Sequence, residues 1–345
     1  YDITAAGHAL SGKDSVRIAD GTFILTAEKD GIHAENADDE EKGYIYIADG
    51  DFTITSDGDG MDASNIVQIE DGTFDITAGG GAANSQKTHE SDMPGGGMSQ
   101  NIERPDGESM PPMGEKPDGE NMPQDTTTDE SGTSTKGIKA GGGMYLNGGT
   151  YQIDSADDSI HSNANITIAD GTYTLATGDD GVHADDALIV NGGTITVTES
   201  YEGLEGLTVT IDDGTIDITA SDDGINTAGE KMELNGGYIH ILAGGDGVDS
   251  NGDLTINGGE IYIDGPSDNG NSAIDYGDRS SAYVNGGTLV AIGSSGMAEV
   301  MSDSSKQKVL MVKLGEQMEG GNVVLTDSEG NVIVSYTALK TYDCV

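Results

Sequence analysis

The chain has 345 residues and is strongly acidic: 62 aspartates and glutamates stand against 15 lysines and arginines, giving a formal net charge of −47. This charge argues against nucleic acid and anionic membrane surfaces as partners, and it favours a secreted protein that holds cations. No hydrophobic run approaches the length of a membrane span, and the one cysteine, Cys344, excludes an internal disulfide.

A glycine-led repeat of about 22 residues runs through most of the sequence. Its copies begin at Gly21, Gly50, Gly72, Gly149, Gly171, Gly193, Gly214, Gly237, Gly259 and Gly287. Apolar residues alternate with polar ones in short runs, as at Ile216 and Ile218, and no helical period is present. Three short strands per copy, separated by Gly, Asn and Asp turns, predict one coil of a parallel β-helix. Such coils stack ~4.8 Å apart and share one core.

Residues 1–296 are predicted to form this all-β solenoid. The pattern is already under way at Tyr1, so we expect a leader and earlier coils before it. Residues 82–135 interrupt one coil with a segment that holds all but one of the seven prolines. We interpret this insertion as a flexible surface loop or, alternatively, as a Met- and Pro-rich flap that packs along the solenoid or onto a partner. The repeat resumes at Lys136.

Residues 297–345 depart from the repeat and predict a small C-terminal β cap. Apolar runs at 309–312, 322–325 and 332–334 are predicted to be its strands. A cap keeps the exposed end of a solenoid from pairing edge to edge. We expect this cap to be incomplete within the present sequence.

The turn after the first strand of each copy is acidic. The predicted ligands of a metal ion are Asp59, Asp62, Asp157, Asp158, Asp179, Asp180, Asp222, Asp223, Asp246 and Asp249. Because these residues flank an inward apolar residue, we expect them to point outward and to form a ribbon of carboxylates ~5 Å apart. Ca²⁺ takes six to eight oxygen ligands, so the ribbon predicts Ca²⁺ as a cofactor. Turn preference alone explains one aspartate per coil, but not doubled acids.

Two further patterns are weaker. His33, His161 and His183 share one column, but only the last two are in adjacent coils, which is a weak indication of a transition metal. Tyr238, Tyr262 and Tyr283 are predicted to face outward on successive coils, where they could stack on sugar rings or simply serve as ordinary strand residues.

A family resemblance follows from these motifs. The repeat Gly-Gly-Thr-x-x-Ile-x-x-x-x-Asp-Gly-Ile-His/Asn/Asp, the Gly-, Met- and Pro-rich insertion and the segment Val332-Ile333-Val334-Ser335-Tyr336 resemble the clostridial family of secreted carbohydrate-binding β-helix proteins. That family is similar in fold to pectate lyases, so the resemblance implies a right-handed parallel β-helix. It also implies Ca²⁺ binding, attachment to cellulose or acidic plant polysaccharides such as polygalacturonate, and an extracellular or cell-surface location in a bacterium.

Three functions remain open. The first is a binding module in which Ca²⁺ bridges protein carboxylates and an acidic polysaccharide. The second is a Ca²⁺-dependent polysaccharide lyase with Lys139 as a weak candidate base, although this lysine could equally neutralise neighbouring aspartates. The third is a structural fibre or surface-layer subunit that associates end to end. We lean away from an enzyme, because the chain has only 15 lysines and arginines and we favour the neutralising role for Lys139. No nucleotide loop, Ser/His/Asp order or cysteine pair is visible either.

Overall fold

The computed structural model describes residues 1–36, 38–39, 41–87, 134–277 and 279–345. In these residues each strand of a coil pairs in parallel with the equivalent strand of the next coil, which builds three ladders along the rod. The predicted all-β parallel β-helix is therefore confirmed.

The ladders are defined by their strands. The first ladder contains Asp2–Ala5, Thr22–Ala27, Asp51–Ser56, Thr73–Ala78, Thr150–Ser155, Thr172–Thr177, Thr194–Glu199, Thr215–Ala220, Tyr238–Ala243, Glu260–Asp264 and Thr288–Ile292. The second contains Leu10–Gly12, Ile32–Ala34, Met61–Ala63, Ile138–Ala140, Ile160–Ser162, Val248–Ser250 and Ile274–Tyr276. The third contains Ser15–Ile18, Tyr44–Ile47, Ile66–Ile69, Gly143–Leu146, Ile166–Ile168, Asp253–Ile256 and Ala282–Val284. Three longer strands run through both the second and third ladders: Val182–Val190, Leu204–Ile211 and Ile225–Leu234.

Stacking of like residues on like builds the core. Phe23, Phe52, Phe74, Tyr151 and Tyr173 form one aromatic column whose successive ring centroids are 4.6–5.0 Å apart. The two tyrosine hydroxyls donate hydrogen bonds to main-chain carbonyls, so the polar tip of each buried ring is satisfied. Aliphatic columns fill the rest of the interior. Because every coil repeats the same inward residues, the core continues along the rod.

The glycine of each Asp-Gly turn is required for a steric reason as well as for the turn. A Cβ at Gly224 would lie 2.3 Å from Ile241 Cγ2 and 2.5 Å from the carbonyl oxygen of Gly247. A Cβ at Gly60 would lie 2.4 Å from Ile76 Cγ2 and from the carbonyl oxygen of Gly137. The coils therefore approach so closely at this turn that they leave no room for a side chain.

We expect Gly224→Ala to lower the free energy of unfolding by about 1–3 kcal/mol, because the added methyl group overpacks two coils. Gly315→Ala is the matched control, since a Cβ there would meet no atom within 4 Å. Urea denaturation of both variants measures the difference. Equal stability of the two variants would show that adjacent coils leave room for a side chain at Gly224, which would contradict the close approach described above.

The C-terminal cap pairs its strands in the antiparallel sense. Lys313–Gln317 pairs with Tyr342–Cys344, and Asn322–Thr326 pairs with Val332–Thr337. The predicted strands near 322 and 332 agree with these bounds, whereas the strand predicted at 309–312 was wrong, because the strand begins at Lys313. Ala338 and Tyr342 pack against the last first-ladder strand and attach the cap to the rod.

Residues 1–85 and 134–345 form one compact unit. The insertion predicted at 82–135 begins with a short 3-10 helix, Ala82–Asn84. Most of the predicted flap, residues 88–133, lies outside the described residues.

Candidate functional site

The acidic turns join each first-ladder strand to the following second-ladder strand, and main-chain hydrogen bonds hold successive turns together. The N–H of Gly203 donates to the carbonyl of Asp223 at 3.0 Å, and the N–H of Gly224 donates to the carbonyl of Asp246 at 2.9 Å. Carboxylates at equivalent positions are thereby placed one coil apart. We call the turn residues and the adjacent outward residues of the second ladder the acidic row.

The acidic row is more buried than the sequence led us to expect. Asp59 and Asp158 are only 2% and 1% exposed, and Asp157, Asp179, Asp180 and Asp246 are also buried. The turns are packed so closely that side chains from adjacent coils cover one another. Charges in such a position need a cation or a proton, because burial disfavours a lone carboxylate anion.

Lysines supply the cation in one segment of the row. Lys136 Nζ lies 2.9 Å from Asp157 Oδ1 and 2.6 Å from Asp158 Oδ2. Asp157, Asp158 and Asp179 form a cluster whose oxygens lie within 4.8 Å of one another. The ammonium group of Lys136 thus lies where a metal ion would contact two of these predicted ligands.

Lys139 lies beside the preceding coil, 3.8 Å from Asp59 Oδ2 and 3.9 Å from Asp62 Oδ1. Burial raises the pKa of Asp59 to about 7, an effect opposed by the charge of Lys139. These contacts are those of a neutralising charge, which is the alternative role we considered for the candidate base.

Histidines lie in the next segment. His161 Nδ1 is 2.8 Å from Asp158 Oδ2, and His183 Nδ1 is 3.1 Å from Asp180 Oδ2 and 3.0 Å from Glu205 Oε2. Burial alone would lower the pKa of His183, but the hydrogen bond to Asp180 and the charge of Glu205 raise it to about 10. Burial and the charge of Asp180 raise the pKa of Glu205 to about 8.

The C-terminal segment of the row contains a cluster of three carboxylates. Oxygens of Asp223, Asp246 and Asp249 lie within 4.8 Å of one another. Burial, reinforced by neighbouring carboxylates, raises the pKa of these side chains to about 8, 7 and 6 respectively. Among the described residues, no lysine, arginine or histidine forms an ion pair with any of the three. Asp222 and Asp275 add further negative charge, so this cluster is the part of the row that most needs a cation.

The three predicted sugar-stacking tyrosines do not form one surface. Tyr238 and Tyr262 lie on adjacent strands of the first ladder with ring centroids 5.7 Å apart. Tyr336 of the cap stacks on Tyr262 at 5.0 Å and covers part of that ring. Tyr283 lies in the third ladder, in register with Thr255 and in the same coil as Tyr262, so the prediction that the three lie on successive coils was wrong for this residue.

A different set of outward residues lines up on the third ladder, and we call this surface the aromatic face. Arg17, Tyr46, Gln68 and Tyr145 are in register on four successive coils. The Arg17 guanidinium lies 5.4 Å from the Tyr46 ring centroid, and Tyr145 is 43% exposed. Part of this aromatic face lines a shallow depression of about 330 Å³. Flat aromatic and hydrogen-bonding side chains at coil spacing are suited to contact a sugar chain.

Comparison with known proteins decides the family. The sequence profile of carbohydrate-binding domain-containing proteins matches residues 1–181 and 179–331. The chain belongs to this carbohydrate-binding domain-containing family. No curated protein and no solved structure gives a significant match. In the described part of the chain, no helix is long and apolar enough to cross a membrane.

Membership of the carbohydrate-binding family supports the broad prediction of polysaccharide binding. The sequence prediction missed the aromatic face because it grouped Tyr283 with Tyr238 and Tyr262, which lie in the first ladder. Tyr283 occupies the same outward column as Tyr46 and Tyr145, separated from Tyr145 by several coils. The last apolar pair of each copy flanks this position, so aligning the copies on that pair would have placed Tyr46, Tyr145 and Tyr283 in one column.

His8 was also missed. The register that pairs Leu10 with Ile32 places His8 beside Asp30, in the column that is acidic in later coils. The only indication in the sequence was that His8 lies two residues before Leu10, as Asp30 lies two residues before Ile32. The first coil is partial, and a histidine replaces the usual acidic residue, so the repeat does not reveal this position.

Proposed function

We propose that this member of the carbohydrate-binding family is an extracellular or cell-surface protein that binds acidic polysaccharide through Ca²⁺. The ion is held by Asp223, Asp246 and Asp249. The observation that carries the proposal is the contrast between this cluster and the one at Asp157 and Asp158, where Lys136 already supplies a positive charge.

The chemistry of the cluster favours Ca²⁺. All three side chains offer oxygen ligands, and Ca²⁺ prefers carboxylate and carbonyl oxygens over nitrogen. The N–H of Asp246 donates to Asp223 Oδ1 at 2.6 Å, and the N–H of Ser272 donates to Asp246 Oδ1. These bonds orient two carboxylates from the main chain and leave other oxygens available for an ion.

Ca²⁺ also resolves the electrostatic conflict between an acidic protein and an acidic sugar chain. The net charge of −47 repels a polyuronate, whereas an ion in the row can take ligands from both partners. Asp249 is only partly buried, so this edge of the cluster is accessible to a ligand from outside. The aromatic face at Arg17, Tyr46 and Tyr145 provides a second contact, one that suits a neutral chain such as cellulose.

We expect immobilised polygalacturonate to retain the protein in Ca²⁺ and to release it in EDTA. Asp246→Asn/Asp249→Asn should release it even with Ca²⁺ present, whereas the exposed Asp186→Asn should bind as the wild type does. A pull-down with each variant tests this. Retention that is unchanged in EDTA would contradict bridging. If binding were then lost in Tyr145→Ala, the aromatic face would account for it instead.

A further inference from the structure

Two histidines and two aspartates converge at the N-terminal end of the acidic row. His8 Nδ1 lies 2.8 Å from Asp30 Oδ2, and His33 Nδ1 lies 3.0 Å from the same oxygen. Asp62 Oδ2 is 3.2 Å from His33 Nδ1. The two imidazole rings are stacked, with centroids 4.0 Å apart and planes 13° from parallel. Adjacent coils therefore bring ligand atoms of His8, Asp30 and His33 within 4.8 Å of one another, and Asp62 lies beside His33.

Two buried ring nitrogens in this cluster lie close to carboxylate oxygens. Nδ1 of His8 and Nδ1 of His33 are both buried, and neither has a hydrogen-bond partner among the described residues. The neighbouring carboxylate oxygens are close enough to accept a hydrogen bond, but they do not lie along the direction of an N–H bond in the ring plane. A buried nitrogen without a partner is costly.

The surroundings orient the candidate ligands. Asp30 Oδ1 accepts the main-chain N–H of Asp59 at 3.0 Å, which fixes the carboxylate and leaves Oδ2 facing the histidines. His33 Nε2 lies 3.4 Å from Glu35 Oε2, on the side of the ring away from Nδ1. A carboxylate on the outer nitrogen is the usual support for a metal-ligating imidazole.

Mutual ion pairing of the histidines with the aspartates explains the cluster less well. If both rings were protonated, two positive charges would stack 4.0 Å apart. If only one were protonated, a single imidazolium would face the two carboxylates of Asp30 and Asp62. One divalent metal ion would balance both carboxylates.

We propose that His8, Asp30, His33 and Asp62 form a binding site for a divalent transition-metal ion of the Zn²⁺ class. Imidazole nitrogen with carboxylate oxygen suits Zn²⁺ and its neighbours, whereas Ca²⁺ prefers oxygen alone. The site is separate from the Asp223, Asp246 and Asp249 cluster and does not depend on the proposed polysaccharide binding.

The second histidine pair is a natural comparison. His161 Nδ1 is also buried without a hydrogen bond, but Lys136 Nζ lies 2.6 Å from Asp158 Oδ2 and competes for that oxygen. His183 Nδ1 is hydrogen-bonded to Asp180. A metal ion at this pair would have to displace an ammonium group, so the proposal assigns the tighter site to His8 and His33.

Titration of metal-free, untagged protein with Co²⁺, followed by its visible absorption, tests the site, and Zn²⁺ should displace the Co²⁺. We expect saturable binding of one ion that is at least ~10-fold weaker in His33→Asn and in Asp62→Asn. His240→Asn is the control, since His240 pairs with Asp217 and Tyr336 away from the row. Circular dichroism confirms that each variant is folded.

No saturable binding by the wild type, or equal binding by folded His33→Asn, would overturn the proposal. Loss in His161→Asn alone would do so too, because it would move the site to the second pair. Ca²⁺ affinity measured on the same variants should be unchanged, so failure of the transition-metal site remains distinguishable from failure of the Ca²⁺ site.

Discussion

Metal-free protein should lose stability as the pH rises from about 4 to about 8, and Ca²⁺ should restore it. The pKa values of Asp249, Asp246 and Asp223 are raised to about 6, 7 and 8 in the folded protein, above the ordinary 3.8. The folded state therefore holds protons that the unfolded state has released. Stability falls through this window, because ionisation places unmatched charge in the buried row. Several such groups make the loss on the order of a few kcal/mol.

Deprotonation of His183 also lowers the stability of the folded protein, but at higher pH. Its pKa is raised from 6.5 to about 10, so the stability that its charge contributes is complete below pH 6.5 and is lost as the pH approaches 10.

Thermal denaturation across this pH range, with EDTA or with Ca²⁺, measures the effect. Asp223→Asn/Asp246→Asn should flatten the pH dependence in EDTA, since amides do not ionise, whereas Asp186→Asn should retain it. Stability that rises between about pH 5 and about pH 8 in EDTA would show that the row is not strained by its own charge.

Lys136→Met should be the most destabilising single change in the row. The ammonium group is largely buried between Asp157 and Asp158, and its removal leaves two buried carboxylates without that counter-charge. Breaking a buried ion pair by removing one partner costs about 3–5 kcal/mol. Urea denaturation of the variant measures the loss.

Lys231→Met is the matched control, because Lys231 pairs with Glu233 at 2.7 Å on the surface. Its loss should cost less than about 1 kcal/mol. Adding Asp157→Asn and Asp158→Asn to Lys136→Met should recover much of the stability, and Ca²⁺ should stabilise Lys136→Met more than the wild type. If the two lysine variants were equally mild, Lys136 would not be the internal cation that we describe.

The periodic part of the fold could be predicted from the sequence because its cause is local and repeated. Each coil buries residues at the same offsets, so the positions of Ile216 and Ile218 define strand, face and register together. The strand misplaced at 309–312 belongs to the cap, where no repeat fixes the register and several apolar side chains stay exposed. An apolar run by itself does not identify a strand in such a region.

The acidic row could be located from the sequence, but its chemistry could not. The distance in sequence from the leading glycine of each copy identifies the acidic positions. The burial of Asp59 and Asp158, however, depends on how closely adjacent coils approach. The contact of Lys136 with Asp157 depends on where the chain re-enters the rod after the insertion. His8 and Asp30 are neighbours only through the register of a partial coil. These contacts link different coils, so a repeat read one copy at a time does not reveal them.

Calorimetric titration of Ca²⁺ into metal-free, untagged protein tests the central claim most directly. We predict saturable binding by the wild type, at least ~10-fold weaker binding by Asp246→Asn/Asp249→Asn, and unchanged binding by Asp186→Asn. Equal Ca²⁺ affinity in the wild type and the folded double variant would contradict the assignment of the ion to the Asp223, Asp246 and Asp249 cluster.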